Sequence, residues 1–190
     1  MARITYPDPD LLPEADRNFL ADLPQLNFHR LIAGSPSMFR PLVSLFSSCL
    51  SNGLLDARIR EIAILRTGHL CDGEYEVVHH NRVARLISMS EEEILALAPD
   101  GDDSVFTPHE RIVLKFTNEV VQQGGARQET FDAAAEFLST AQLIELTTVI
   151  GMYTMVSQIC HTFEIELEDV PIANTGIEDM QATVAKHRQQ

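Results

Sequence analysis

The sequence lacks the long apolar run and the basic start that mark membrane-spanning and secreted proteins. A helix needs about 18 consecutive apolar residues to cross a bilayer, and no stretch here reaches that length. Four acidic residues stand among the first twenty, where a secretory signal would be basic and then apolar. We therefore expect neither a membrane span nor a secretory signal.

Cysteine is also scarce. The three cysteines, Cys49, Cys71 and Cys160, are widely spaced and form no CxxC motif. An odd number at such spacing argues against a disulfide framework, and the spacing excludes a structural zinc site. We expect reduced thiols in a cytoplasmic protein.

Positive charge is in short supply as well. The chain carries 14 Lys and Arg against 28 Asp and Glu, a formal net charge of −14, which argues against nucleic acid and anionic membranes as partners. Residues 56–87 differ, because five arginines there balance five acidic residues. That stretch could tolerate an anionic small molecule, although its arginines could equally pair with neighbouring acids on helix surfaces.

No strand pattern and no repeat occurs, and the apolar spacing predicts an all-α fold. We expect one domain over residues 1–190, with an N-terminal arm and short helices (1–36), a helical core (37–168) and a C-terminal tail (169–190). Helices are predicted at 13–23, 26–36, 37–50, 57–67, 74–88, 90–98, 107–123, 127–138 and 143–167. The last one carries no charge between Glu145 and His161, which suggests a central or inter-subunit helix.

The strongest chemical signal lies in residues 56–87, where two predicted helices meet at a polar break over 68–73. Asp56 can cap the first helix, which is apolar nearly all round and should be buried, yet it carries Glu61. On the second, Glu76 and His80 are four residues apart and share a face. A carboxylate beside an imidazole orients the ring as a general base, and a carboxylate among apolar residues can serve as a proton donor or relay. Tyr75 could hydrogen-bond an oxyanion.

Plainer interpretations of the same residues stay open. Glu76 and His80 could be an ordinary helix pair, and Glu61 could simply bond Arg58 or Arg66. The spacing Glu76-x-x-His79 occurs in carboxylate di-iron bundles, but the second copy that such sites need is missing, so we expect no metal. Cys71 could be reactive without a nearby cysteine to resolve it. His161 could line the same cavity, or could have a core or capping role.

The pattern LDxRxRExAILR over 55–66, followed by EYExxxH over 74–80, resembles the carboxymuconolactone decarboxylase/alkylhydroperoxidase D-like superfamily. The resemblance places the glutamate and histidine of its peroxidase branch on Glu61 and His80. It places the two redox cysteines on Gly73 and Glu76. Both thiols are therefore absent, and Cys71 lies two positions before the first of them. Reduction of a peroxide needs an attacking and a resolving thiol, so that activity is not implied here.

With a carboxylate at position 76, the chain looks like the decarboxylase-type branch, which uses acid–base groups and no cofactor. The resemblance implies a multi-helix bundle with a central helical hairpin. It also implies assembly as a trimer or hexamer, with the site near subunit contacts. Similar members tend to have asparagine where this chain has His161, so a histidine there would add a titratable group to the pocket.

We therefore predict a cofactor-independent lyase or isomerase that acts on a small organic acid, a lactone or a related carbonyl compound. The catalytic residues would be His80 as base, Glu76 as its orienter, Glu61 as a second acid, and Tyr75. We assign substrate binding to His79, Arg82, Cys71, His161 and Tyr153, with Arg82 as a further group to steady negative charge. Two alternatives remain: a non-catalytic helical oligomer that binds a ligand or partner, and a redox protein that uses Cys71.

Overall fold

The computed structural model describes residues 2–168, and these form nine α-helices, two short 3₁₀ helices and no strand. The all-α prediction is confirmed for this part of the chain. The predicted tail at 169–190 lies outside the described residues. Contacts divide the chain into two compact units, one of residues 53–162 and one that combines residues 2–52 with 163–168. The single-domain assignment stays a prediction.

The smaller unit holds the N-terminal helices. After a 3₁₀ turn at Pro9–Leu11 come α1 (Glu14–Asp22), α2 (Asn27–Ile32) and α3 (Pro36–Ser51), each close to its predicted position. Phe19, Phe28, Phe39 and Phe46 are buried here, and their rings meet edge-on in the pairs Phe19–Phe39 and Phe28–Phe46. These aromatic contacts give the unit its own core.

The larger unit begins with a helical hairpin, α4 (Ala57–Leu70) and α5 (Glu74–Leu86). It continues with α6 (Glu91–Ala96), a 3₁₀ turn (Asp103–Val105), α7 (Pro108–Gln123), α8 (Gln128–Ala135) and α9 (Thr140–Phe163). The last residue of α9, Phe163, belongs to the other unit. Within this larger unit, α4 packs mainly against α7 and α5.

Three predicted helix starts are confirmed in detail. The Asp56 carboxylate accepts hydrogen bonds from the first backbone N–H groups of α4. Ser90 and Thr107 each form a complete capping box, at the starts of α6 and α7. Because α4 is apolar around most of its circumference, it is buried as expected, and Ile62, Ala63 and Ile64 have no exposed surface.

The predicted break between the hairpin helices is confirmed and narrowed. The sequence placed it within residues 68–73, and the structure shows that α4 continues through Gly68 to Leu70, so only residues 71–73 join the helices. Gly68 is buried against α5, where an added Cβ would come within 2.9 Å of a Val77 methyl carbon. This glycine therefore permits close helix packing instead of ending a helix. The chain reverses at Asp72, which takes a left-handed conformation with φ of 54°.

Helix α9 was predicted at 143–167 and runs from Thr140 to Phe163. It ends because Glu164 takes a left-handed conformation, with φ of 49°. Within residues 2–168, α9 is long and apolar enough to cross a membrane by length and composition, but half of that window is buried inside the structure. A core helix passes the same test, so this is weak support for a membrane span, and its absence stays a prediction.

Candidate active site

The centre of the larger unit holds a chain of three hydrogen-bonded side chains from three helices. His80 Nδ1 on α5 lies 2.6 Å from Glu61 Oε2 on α4, and His80 Nε2 lies 2.7 Å from the Tyr153 hydroxyl on α9. All three are buried, with exposures of 0 % for Glu61, 8 % for His80 and 5 % for Tyr153. We call this set the relay, because protons can pass along it.

The chemistry of the partners sets the direction of these bonds. An ionised carboxylate only accepts hydrogen bonds, so with Glu61 ionised His80 donates from Nδ1. In the neutral ring Nε2 then accepts, and Tyr153 donates its hydroxyl proton to it. Arg60 Nε donates to the other oxygen of Glu61 at 3.3 Å. The relay is thus a phenol, an imidazole and a carboxylate in series.

The structure corrects the role expected for Glu76. We predicted that this carboxylate orients His80 from four residues earlier on the same helix, but the carboxylate on His80 Nδ1 belongs to Glu61, nineteen positions away in sequence. The antiparallel hairpin brings the two together, which helix spacing alone does not show. The plainer interpretation of Glu61 is also wrong in its partner, because Arg58 pairs with Glu93 and Glu110, and Arg66 bonds Asn118 and two backbone carbonyls.

Glu76 instead lies buried beside Gly73. It is 2 % exposed, and neither of its carboxylate oxygens has a hydrogen-bond partner among the described residues. The Ser157 hydroxyl on α9 is likewise buried and without a partner there. Burying a polar group without a hydrogen-bond partner costs roughly 1–3 kcal/mol. The presence of two such groups side by side suggests that they have a function.

Gly73 gives these two groups their room. An added Cβ at this position would collide with Glu76 Oε2 and with Ser157 Oγ, the latter at 2.6 Å. Both polar atoms therefore lie directly against the turn between α4 and α5. Because 76 and 80 are one helical turn apart on α5, and 153 and 157 are one turn apart on α9, this pair forms the next polar layer beside His80–Tyr153. We call Glu76, Ser157 and Gly73 the cradle.

Cys71 borders the cradle but is a poor nucleophile at neutral pH. Burial raises the pKa of the Cys71 thiol, and the charges of Glu76 and Asp72 raise it further, against an opposing hydrogen bond with Thr154. A raised pKa keeps the sulfur protonated, whereas the reactive form is the thiolate. The geometry therefore gives no support to the redox alternative.

The remaining predicted residues lie around the hairpin. Tyr75 is buried and its ring packs on His79 at 4.4 Å between centroids, while His79 Nδ1 donates to the Tyr75 carbonyl at 2.7 Å. Arg82 is two residues after His80, about 200° around α5, and so leaves the helix on a different side from the imidazole. Its role in binding substrate and steadying negative charge stays a prediction.

His161 is exposed, and its Nε2 donates to the Asp72 carbonyl at 2.9 Å. This bond ties the end of α9 to the turn between α4 and α5, so it is the capping-type role that the sequence left open. Sequence reasoning missed Ser157 and Thr154. The spacing of Tyr153 and Ser157, four apart on an apolar helix, is the signal that could have pointed to the first of them.

Part of this arrangement lies in a segment that matches a known protein family. Residues 36–119, which contain the hairpin with Glu61, Glu76 and His80, match the model of the carboxymuconolactone decarboxylase family. This central segment of the chain is therefore similar to the carboxymuconolactone decarboxylase/alkylhydroperoxidase D-like superfamily. A comparison with curated proteins finds no match.

Solved structures share the fold of this chain. An uncharacterised peroxidase-related protein from Silicibacter sp. superposes with a TM-score of 0.79 at 12% identity, covering 92% of this chain and 95% of that one. An alkylhydroperoxidase AhpD core protein from Ralstonia eutropha gives 0.76 at 18% identity, covering 88% and 93%. The debrominase Bmp8, as a cysteine-to-alanine variant with 2,3,4-tribromopyrrole, gives 0.72 at 14% identity, covering 99% and 100%. At these identities the likeness shows the fold alone.

Proposed function

We propose that this protein is a cofactor-independent acid–base enzyme, a lyase or isomerase that acts on a small organic acid, a lactone or a related carbonyl compound. The observation that carries the proposal is the buried relay, with its bonds of 2.6 and 2.7 Å. A carboxylate, an imidazole and a phenol in series form a general-base system whose ring is held in one tautomer from both sides.

In the proposed reaction Tyr153 is the group that meets the substrate. Its oxygen takes a proton from the substrate carbon while its own hydroxyl proton passes to His80 Nε2. The imidazolium that forms is stabilised by the Glu61 carboxylate on Nδ1, which Arg60 holds in place. Run in the other direction, the same relay returns a proton to the substrate, so it serves as base and as acid.

Glu76 supplies the second acid–base group. An isomerase must take a proton from one atom and return one to another, and a decarboxylating lyase must protonate the carbanion left by carbon dioxide. Glu76 and Ser157 lie one helical turn from the relay, are buried, and have no partner among the described residues. They are therefore available to hydrogen-bond a substrate and to exchange a proton with it.

The proposal keeps the other expectations from the sequence. We expect a homo-oligomer, a trimer or hexamer, that works in the cytoplasm on a small-molecule substrate, without a cofactor, metal, nucleic acid or membrane. Across residues 2–168 no group of three or more His, Cys, Asp and Glu side chains could hold a metal ion. That finding describes this arrangement of side chains only, and the absence of metal stays a prediction.

The test is proton exchange, because it detects acid–base chemistry before the full reaction is known. A panel of small oxo acids and lactones, beginning with a carboxymuconolactone, is incubated with the protein in D₂O. Deuterium incorporation and product formation are followed by NMR. We expect the His80→Ala variant to be slower by at least about 10²-fold, the usual scale for loss of a general base. His109→Ala is the matched control, since that exposed ring stacks on Phe137 and lies outside the relay.

Two results would count against the proposal. Turnover at the wild-type rate in His80→Ala would show that the relay is not the base. If a panel compound binds but neither reacts nor exchanges, the non-catalytic alternative is favoured. That alternative further predicts equal affinity in a variant that carries both Glu76→Gln and His80→Ala.

A further inference from the structure

A second cavity in the larger unit lies apart from the relay. It is a cleft of about 620 Å³, walled by the start and middle of α7, by Arg66 of α4 and by the segment between α6 and α7. Pockets that hold small organic ligands are typically about 300–1,000 Å³, so the cleft has the size of a ligand site. Glu61, His80 and Tyr153 are not among its lining residues.

The cleft is cationic in a chain that is otherwise strongly acidic. Arg66, Arg111 and Lys115 line it, and Asp103 is the one acidic residue among its lining residues. The chain as a whole carries −14. Concentrating positive charge in one concave place on such a molecule favours an anion there over anywhere on the surrounding surface.

The two arginines are held in position by neutral groups. Arg66 donates from Nε to Asn118 Oδ1 at 2.7 Å, and from Nη1 to the Leu97 and Ala98 carbonyls at 3.1 and 2.6 Å. Arg111 donates from Nη1 to the Phe106 carbonyl at 2.6 Å. Within residues 2–168 no carboxylate forms an ion pair with either guanidinium, whereas Arg58 has two such partners.

This lack of a counter-ion has an energetic consequence for Arg66. Burial lowers its pKa, and the charge of Asp103 opposes this only in part. Lys115 has only a weak ion pair, because its Nζ lies 3.8 Å from a carboxylate oxygen of the exposed Glu129. A bound anion would supply the charge that the protein itself does not.

Apart from the three cations, Asp103 and Asn118, the residues that line the cleft are apolar or glycine, with Pro99 and Ile112 among them. A bare inorganic ion would leave this surface wet, whereas an organic anion with an apolar body would cover it. From these observations we infer that the cleft is a binding site for a small organic anion. Its carboxylate or phosphate group meets Arg66, Arg111 and Lys115, and its apolar part lies on the wall beside Ile112.

This site is distinct from the proposed active site. Arg66 follows Glu61 by five residues on α4, a turn of about 140° around the helix axis, so the two side chains leave the helix on different sides. Anion binding in the cleft therefore does not depend on acid–base chemistry at the relay.

The test uses the full chain and isothermal titration calorimetry with three probes: hexanoate, hexyl phosphate and uncharged hexanol, at constant ionic strength. We expect one or both anions to bind and hexanol not to bind. The charge-removing variant Arg111→Gln/Lys115→Gln should weaken anion binding at least tenfold. Arg85→Gln/Arg127→Gln, which removes two cations outside the cleft, should stay within twofold of wild type.

A variant that is expected to bind the anion more tightly shows that weaker binding in the first variant is not caused by loss of folding. Asp103→Asn removes the acidic lining residue and should tighten anion binding. A preference for hexanoate over hexyl phosphate, or the reverse, identifies the head group. The inference is overturned if neither anion binds wild type, if hexanol binds as well as the anions, or if the Arg111/Lys115 variant binds as wild type does.

Discussion

At the scale of single residues, the candidate site depends on polar atoms that are packed closely against the backbone. Gly73 is the clearest case, because a single methyl group there would occupy the place of Glu76 Oε2 and crowd Ser157 Oγ. The glycine is needed for this close approach and not for an unusual backbone conformation, since its φ is −78°.

We predict that Gly73→Ala destabilises the protein by about 1–3 kcal/mol, the usual cost of forcing extra volume into a packed site. Urea unfolding measures the change. Gly125→Ala is the matched control, because nothing lies within 4 Å of an added Cβ there, and its free energy of unfolding should not fall. Equal effects at both positions would show that the cradle is not tightly packed around Gly73.

For Glu76 we predict a substitution that stabilises the protein. Burying an unpaired carboxyl group costs roughly 1–3 kcal/mol, while its position in the first turn of α5 returns about 0.3–1 kcal/mol through the helix dipole. The burial cost exceeds the gain from the dipole, so Glu76→Met should raise the free energy of unfolding by about 1 kcal/mol while lowering proton exchange at the site. This exchange of stability for activity is common where a site needs an unfavourable group.

Glu74→Met provides the comparison for that measurement. Glu74 is exposed and lies in the same first turn of α5, so its replacement removes the dipole contribution without relieving any burial. We expect a loss of a few tenths of a kcal/mol. If Glu76→Met proves as destabilising as truncation of a well-paired buried residue, the Glu76 carboxylate is hydrogen-bonded in the folded protein and the prediction is wrong.

At the scale of elements, three helices are joined by one arginine. Arg58 of α4 donates to Glu93 of α6 and to Glu110 of α7, at 2.5 Å in each case. Arg58 lowers the pKa of Glu93 through this hydrogen bond. It also lowers the pKa of Glu110, where burial opposes the shift and the Thr107 backbone N–H assists it.

These directions determine a pH dependence. A carboxyl whose pKa is lower in the folded state than in the unfolded chain stabilises the fold above the unfolded pKa, about 4.3 for glutamate. That stabilisation is lost as the pH falls through the lower folded value. We therefore expect the free energy of unfolding to decrease from about pH 5 downward, and part of the decrease to come from Glu93 and Glu110.

Arg58→Met tests the assignment. At pH 7 it should cost about 2 kcal/mol, between the ranges for exposed and for fully buried ion pairs, because Glu110 is left buried without its cation. Its stability should also fall less steeply below pH 5 than that of wild type, as followed by urea midpoints between pH 7 and pH 3. Arg85→Met breaks an exposed pair with Glu91 that solvent screens. It should therefore change the slope less than Arg58→Met does.

The elements were easier to predict from the sequence than their contacts. Caps such as Asp56, Ser90 and Thr107 are local, so the residues that form them are neighbours in the sequence. The packing role of Gly68 inside α4 was not predicted, because a glycine indicates a helix end unless a tightly packed partner helix is known. The end of α9 was placed too far along the chain, since the left-handed residue that ends it is a glutamate and not a glycine.

At the scale of the whole molecule, the sequence predicted which hairpin carries the residues of the candidate site, but not the hydrogen bonds between them. The resemblance in residues 55–80 pointed to Glu61, Glu76 and His80, and all three lie at the hairpin. That Glu61 and not Glu76 orients His80, and that Tyr153 closes the relay, depends on how α4, α5 and α9 pack against each other. Such contacts between distant segments carry no local pattern. The cationic cleft was invisible for the same reason, because Arg66 and Arg111 come from different helices.

The three-residue turn between α4 and α5 also affects the order in which the site can assemble. Glu61 and His80 are 19 positions apart in sequence, whereas His80 and Tyr153 are 73 apart. Closing the shorter loop costs about 1 kcal/mol less chain entropy, so the carboxylate–imidazole pair can form with the hairpin itself. Tyr153 joins only when α9 docks. We therefore expect the relay to become complete at a late step of folding, when the long helix α9 packs against the hairpin.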